Sequence, residues 1–114
     1  MSIASDIIRG HTDTIILASL YYSDSYGYEI NKSIAERTQN AYELKDATLY
    51  SAFRRLEAGG LISSYWGDEE KGARRRYYSI MPEGRSAYEK NIKEWREAKK
   101  IIDSLINVKD GGNA

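Results

Sequence analysis

Residues 61–80 read LISSYWGDEEKGARRRYYSI, two short β-prone runs rich in aromatic and branched residues around a polar centre. LISSYW (61–66) and RRYYSI (75–80) have the length of ordinary strands, and GDEEKGAR between them carries turn-forming glycines. The stretch therefore predicts a β-hairpin with a long tip. Three acids, Asp68, Glu69 and Glu70, gather on that tip and are followed by Lys71 and the run Arg74-Arg75-Arg76. In a strand, Arg74 and Arg76 face one way and Arg75 the other. Gly67 and Gly72 let the tip bend.

Moving outward, the preceding segment DATLYSAFRRLEAGG (46–60) has helical spacing, with Ala47, Leu49, Ala52, Phe53 and Leu56 as its apolar stripe and Gly59-Gly60 as its stop. After the hairpin, MPEG (81–84) puts Pro82 where a helix accepts it in its first turn. One long amphipathic helix is then expected to about Asn107, with Tyr88, Ile92, Trp95, Ile102 and Leu105 at steps of three and four and Ala98, Ile101 and Ile106 widening the stripe. Upstream, SDIIRGHTDTIILASLYY (5–22) reads as a single helix capped by Ser5, with Ile7, Ile8, His11, Ile15, Leu17, Ala18 and Tyr21 on its apolar side. SDSYG breaks it. YGYEINKSIAERTQ (26–39) is a second helix, with Tyr28, Ile30, Ile34 and Ala35 expected inside.

The expected order is helix, helix, helix, hairpin, long helix: a mainly α fold with a small β-hairpin. Three helices and a two-stranded hairpin form a winged helix-turn-helix, in which the third helix is the one placed in a DNA major groove. At 114 residues this is one compact unit. It divides into a DNA-binding part over 1–81, whose first helix is shared with a dimer interface, a dimerisation helix over 82–107 and a disordered tail over 108–114.

Lys+Arg and Asp+Glu both total 17, so affinity for a polyanion has to come from local segregation of charge. The third helix and the hairpin supply it. The third helix carries Thr48, Tyr50, Ser51, Arg54 and Arg55 off its core face. Small polar residues near a helix start can approach base edges, and arginines a turn later reach guanine or phosphate. Asp46 in the first turn suits the helix dipole but repels phosphate. A wing of long cations reaches phosphates beside the bound helix. The competing reading is a solvated hairpin whose arginines pair with its own acids.

Three segments, YGYEI (26–30), ATLYSAFRRLEAGGLI (47–62) and GARRRYYSIMPEGR (72–85), together resemble the PadR family of transcriptional regulators over about residues 5–107. A single short C-terminal helix resembles its small subfamily, and the wing sequence with a tryptophan in the last helix is similar to the multidrug-responsive branch. The resemblance implies a homodimer joined through first and last helices, here Ile8, Ile15, Tyr88, Trp95, Ile102 and Leu105. It implies a double-stranded inverted-repeat operator, contacted by Lys45, Thr48, Tyr50, Ser51, Arg54 and Arg55 on the helix and Lys71, Arg74 and Arg75 on the wing. It also implies a site for a planar aromatic effector, with Trp95 as the stacking surface and Ile7, Thr14, Ile92 and Lys99 as its neighbours. Three positions depart from the family pattern. Lys99 stands where the multidrug branch has an acid, with Asp103 one turn on; Met81 stands where the family has a capping threonine; and Ser51 replaces the proline of the wider family.

From its place on a heptad-like seam alone, Trp95 reads as a core or coiled-coil residue; the resemblance sets the stacking reading level with that one, and both stand. Trp66 is expected to pack between the wing and the last helix, and His11 to be a helix-face residue. With no cysteine, one histidine and no phosphate-cradling loop, the chain offers no nucleophile–base pair, no metal site and no cofactor motif, so an enzyme is not expected. No signal-peptide pattern or spanning apolar run is present, which makes a cytoplasmic location without membrane contact the expectation. The overall reading is a dimeric DNA-binding repressor relieved by a ligand between the last helices. The alternatives are a repressor without ligand response and a winged-helix module that binds protein instead of DNA.

Overall fold

The computed structural model describes residues 3–67 and 74–108, with side chains from residue 6 onward. The order is α1 (Ile3–Arg9), α2 (Thr12–Leu20), β1 (Ser25–Tyr26), α3 (Gly27–Arg37), α4 (Asp46–Ala58), β2 (Ile62–Trp66), β3 (Arg76–Ile80) and α5 (Pro82–Ile106). This is the mainly helical, winged architecture expected. The tip residues Asp68, Glu69, Glu70, Lys71 and Gly72, and residues 109–114 of the tail, lie outside the described residues.

The single N-terminal helix expected from Ser5 is instead two. Helix α1 starts at Ile3, so Ser5 is inside it, and the chain breaks at Gly10-His11. There Gly10 N–H bonds the Ile7 carbonyl (3.3 Å), and the Thr12 hydroxyl bonds the Arg9 carbonyl (2.8 Å). The break resets the helical phase. Ile16, Leu17 and Leu20 become the core side of α2, while Ile7 is 59% exposed.

These three join Ile30 and Ile34 of α3, Leu49, Ala52, Phe53 and Leu56 of α4, and Ile62 and Tyr78 of the sheet in one apolar cluster. Phe53 stacks on Tyr78 with ring centroids 3.8 Å apart. In α3 and α4, two residues expected inside lie outside: Tyr28, 71% exposed, and Ala47, on the outer side of α4. The α3–α4 connection is fixed by Asn31. Its side-chain amide donates to the Leu44 carbonyl (2.7 Å) and accepts from the Leu44 N–H (3.0 Å), so buried Leu44 anchors the entry to α4. Gln39 and Asn40, both at positive φ, make the turn before it.

The expected hairpin forms, with β2 antiparallel to β3 from Ile62↔Ile80 to Trp66↔Arg76. It gains a third strand: β1 pairs with the other edge of β3 through Ser25↔Tyr78 and Tyr26↔Tyr77. Two residues carry no period-2 signal, so SDSYG read as a turn.

Helix α5 begins at Pro82 as expected, after an extended Met81 whose side chain makes no capping hydrogen bond. Gly84 brings it onto the sheet so closely that a Cβ there would lie 2.1 Å from the Leu61 carbonyl oxygen. The first half of α5 packs on α2. Tyr21 Oη donates to Glu89 (2.7 Å), the Tyr21 and Tyr88 rings meet at 5.0 Å, and Asn91 Nδ2 donates to Thr14 Oγ1 (3.0 Å). With 25 residues the helix is about 37 Å long, and its second half runs out from the body in a molecule measuring 62 × 30 × 21 Å.

Candidate nucleic-acid interface

Burial of Leu49, Ala52, Phe53 and Leu56 turns the opposite side of α4 to solvent, and that side carries Ala47, Ser51 and Arg54 along its centre. Tyr50 and Glu57 form one flank and Thr48 and Arg55 the other. The first flank faces the wing across a groove of about 700 Å³, lined also by Tyr26, Tyr28, Trp66 and Arg74 to Arg76.

The wing arginines sort as strand geometry requires. Arg74 and Arg76 both sit over Trp66 (5.3 and 5.5 Å to the ring), and Arg75 sits over Tyr26 (4.7 Å). Arg76 is also the tie between wing and helix: it donates to Ser64 Oγ (2.8 and 3.1 Å) and lies 3.7 Å from Glu57, to which the Ser64 hydroxyl donates (2.7 Å). Trp66 does not pack between wing and last helix. It shares a strand face with buried Ile62 and half-buried Ser64 but lies beyond the edge of the core, so it remains 51% exposed beside the groove. On the other face Tyr65 stacks on Tyr77 (5.6 Å) and donates to Asp24 (2.6 Å), bracing the wing against the loop before β1.

Tyr50 is 42% exposed; its ring edge meets Phe53 at 5.5 Å, and its hydroxyl lies over Gly27, where a Cβ would come within 2.4 Å. Arg55 points away from the wing to an ion pair with Asp13 of α2, and that hydrogen bond raises its already high pKa. Lys45 stands exposed at the start of α4 beside Thr48 and Arg9. The expected DNA-facing residues Thr48, Tyr50, Ser51, Arg54, Arg74 and Arg75 thus share one surface with Lys45, while Lys71 lies outside the described residues. Tyr28 and Ala47, both expected inside, and Arg9 of α1 lie exposed beside the same grooves.

The expected effector residues divide. Thr14 and Trp95 line one cavity of about 470 Å³ between the α1–α2 junction and α5, with His11, Asp13, Arg55 and Asn91. His11 meets Trp95 edge-on at 4.8 Å. Ile7, Ile92 and Lys99 lie outside that cavity, and Lys99 pairs with Asp103 at 3.3 Å. Of the expected interface residues, Ile15 and Tyr88 pack against the chain's own core, Ile8 is half-buried, and Ile102 and Leu105 are exposed. Among the described residues no cluster could hold a metal ion, and no helix is long and apolar enough to cross a membrane.

The family model for PadR-like transcriptional regulators matches residues 16–90, which span α3, α4, the wing and the start of α5. The chain belongs to the PadR-like family of transcriptional regulators. A transcriptional regulator from Clostridium thermocellum is 50% identical, with a TM-score of 0.84 over 92% of this chain and 99% of that one. A PadR family transcription regulator from hypervirulent Clostridium difficile R20291 is 36% identical, with a TM-score of 0.73 over 84% and 98%. An uncharacterized protein of Lysinibacillus sphaericus is 48% identical over 104 residues, 91% of this chain and 95% of its own. The two clostridial neighbours are both named as regulators of transcription.

Proposed function

We propose that this PadR-family chain is a homodimeric, sequence-specific DNA-binding repressor, with residues 1–81 as the DNA-binding part and 82–107 as the dimerisation helix. The observation that carries this reading is the juxtaposition of α4, its outer side bearing Ser51 and Arg54, with a wing whose arginines lie beside the same groove. Helix α4 enters the major groove, where Ser51 and Arg54 meet base edges, and Arg74 and Arg75 hold flanking phosphates.

Dimerisation is supported by the unburied stripe on α5: Ile102, Leu105 and Ile106 are 48–72% exposed, and Trp95 precedes them on the same side. A row of this kind at steps of three and four is what a second copy covers. The cavity beside Trp95 supports an effector of planar aromatic type, which weakens operator binding through different affinities for two arrangements of the dimer.

Selection from random duplexes tests the repressor reading. The expected product is an inverted repeat with half-site centres one helical turn, about 34–36 Å, or a multiple apart, bound by a species sedimenting as a dimer. Dimers that enrich no symmetric sequence would instead point to a module for protein partners.

A further inference from the structure

A helix seated in a major groove about 12 Å wide has a phosphate ridge on each side, and the wing serves only one of them. The opposite flank of α4, with Thr48 and Arg55, faces the end of α1. Arg9 stands there between two hollows: one of about 430 Å³ shared with Leu44, Lys45 and Thr48, and one of about 390 Å³ shared with Ala47, Thr48 and Ser51. Its backbone is pinned by the Thr12 hydroxyl on its carbonyl (2.8 Å). Its side chain is 53% exposed, and the guanidinium pairs at 2.9 Å with Asp6, whose side chain is 61% exposed. An exposed pair of that kind contributes little and exchanges readily for a stronger anion, and an arginine fork matches phosphate geometry.

We propose that Arg9 binds a DNA phosphate, so that with Lys45 it brackets α4 on the side away from the wing. The proposal rests on the reading that α4 enters the major groove. Helix α1 thereby touches the operator as well as flanking the cavity beside Trp95, which Arg9 also lines. Asp6 acts as the placeholder that phosphate displaces. Because a phosphate carries no base information, Arg9 sets affinity and register and leaves sequence preference alone.

The test compares wild type, Arg9→Ala, Asp6→Asn and Arg54→Ala on a selected duplex and an unrelated one across a salt series. Arg9→Ala is expected to weaken both duplexes by the same factor and to lower the log K against log salt slope by about 0.9 for each phosphate it no longer neutralises. Asp6→Asn, which frees Arg9, is expected to tighten both, a gain that a folding defect does not produce. An unchanged slope in Arg9→Ala and unchanged affinity in Asp6→Asn, with Arg54→Ala weakened, overturns the role of Arg9 and leaves the DNA reading standing. Wild-type protein whose binding to both duplexes ignores salt overturns the two together.

Discussion

Arg54 and Arg55 are adjacent in sequence, yet their surroundings give them different work. Arg54 projects from the outer side of α4 beside the groove, whereas Arg55 is turned aside by Asp13. Arg54→Ala is therefore expected to cost about 1–3 kcal/mol of operator affinity and to relax preference at one base position, with the melting temperature little changed because the side chain is exposed. Equal weakening on specific and unrelated duplexes would make Arg54 a phosphate ligand instead. Three tyrosines are expected to make stability depend on alkaline pH. Hydrogen bonds to Glu89 and Asp24 raise the pKa values of Tyr21 and Tyr65, and burial raises that of Tyr78. A raised folded-state value means the protonated phenol is the favoured native form. Its contribution is complete below the ordinary tyrosine pKa of about 10 and disappears as pH rises through the shifted values. Thermal melts from pH 8 to 12 should be level at first and then fall above about pH 10, with a gentler fall in Tyr78→Phe; a flat profile to pH 12 would contradict these assignments.

At the level of the element, α5 carries two testable joints. Met81 leaves the helix start without a side-chain cap, so Met81→Thr should stabilise the protein by about 1 kcal/mol. Gly84 meets the Leu61 carbonyl with no room for a methyl, so Gly84→Ala should destabilise by at least about 1–3 kcal/mol despite alanine's better helix propensity. Denaturant melts that rank the two variants the other way would mean the α5–sheet joint is looser than described. Helix α4 was legible because Leu49, Ala52, Phe53 and Leu56 and a double glycine agree on its phase and its end, although Ala47, the first member of the expected stripe, faces outward. The α1–α2 break was not, because Ile15, Ile16 and Leu17 put apolar residues on every side, so periodicity could not show where the phase resets. Strand β1 was too short to show alternation. Trp66 was misjudged because large aromatic size suggests burial, whereas its place beyond the edge of the core, between Arg74 and Arg76, is visible only once the sheet is assembled. Arg9 carried no local signal, since its significance comes from a helix forty residues away.

Across the whole molecule, the second half of α5 exposes apolar residues that the other described residues do not cover, and the cavity beside Trp95 opens where α5 leaves the body. These belong together if a second copy completes both. Trp95→Ala then separates two roles: abolished dye binding with dimerisation and DNA affinity intact makes Trp95 part of the effector site, whereas collapse of the dimer in sedimentation makes it an interface core residue. With no net charge, the chain is expected to bind DNA through charge gathered on α4 and the wing. The most direct measurement is a fluorescence-anisotropy titration against DNA from upstream of its own gene and against an unrelated duplex, at 50 and 200 mM salt. Tight, selective binding that weakens about 10³–10⁵-fold between those salts, as 6–10 neutralised phosphates require, is the predicted result; equal, weak and salt-insensitive binding to both duplexes would contradict it.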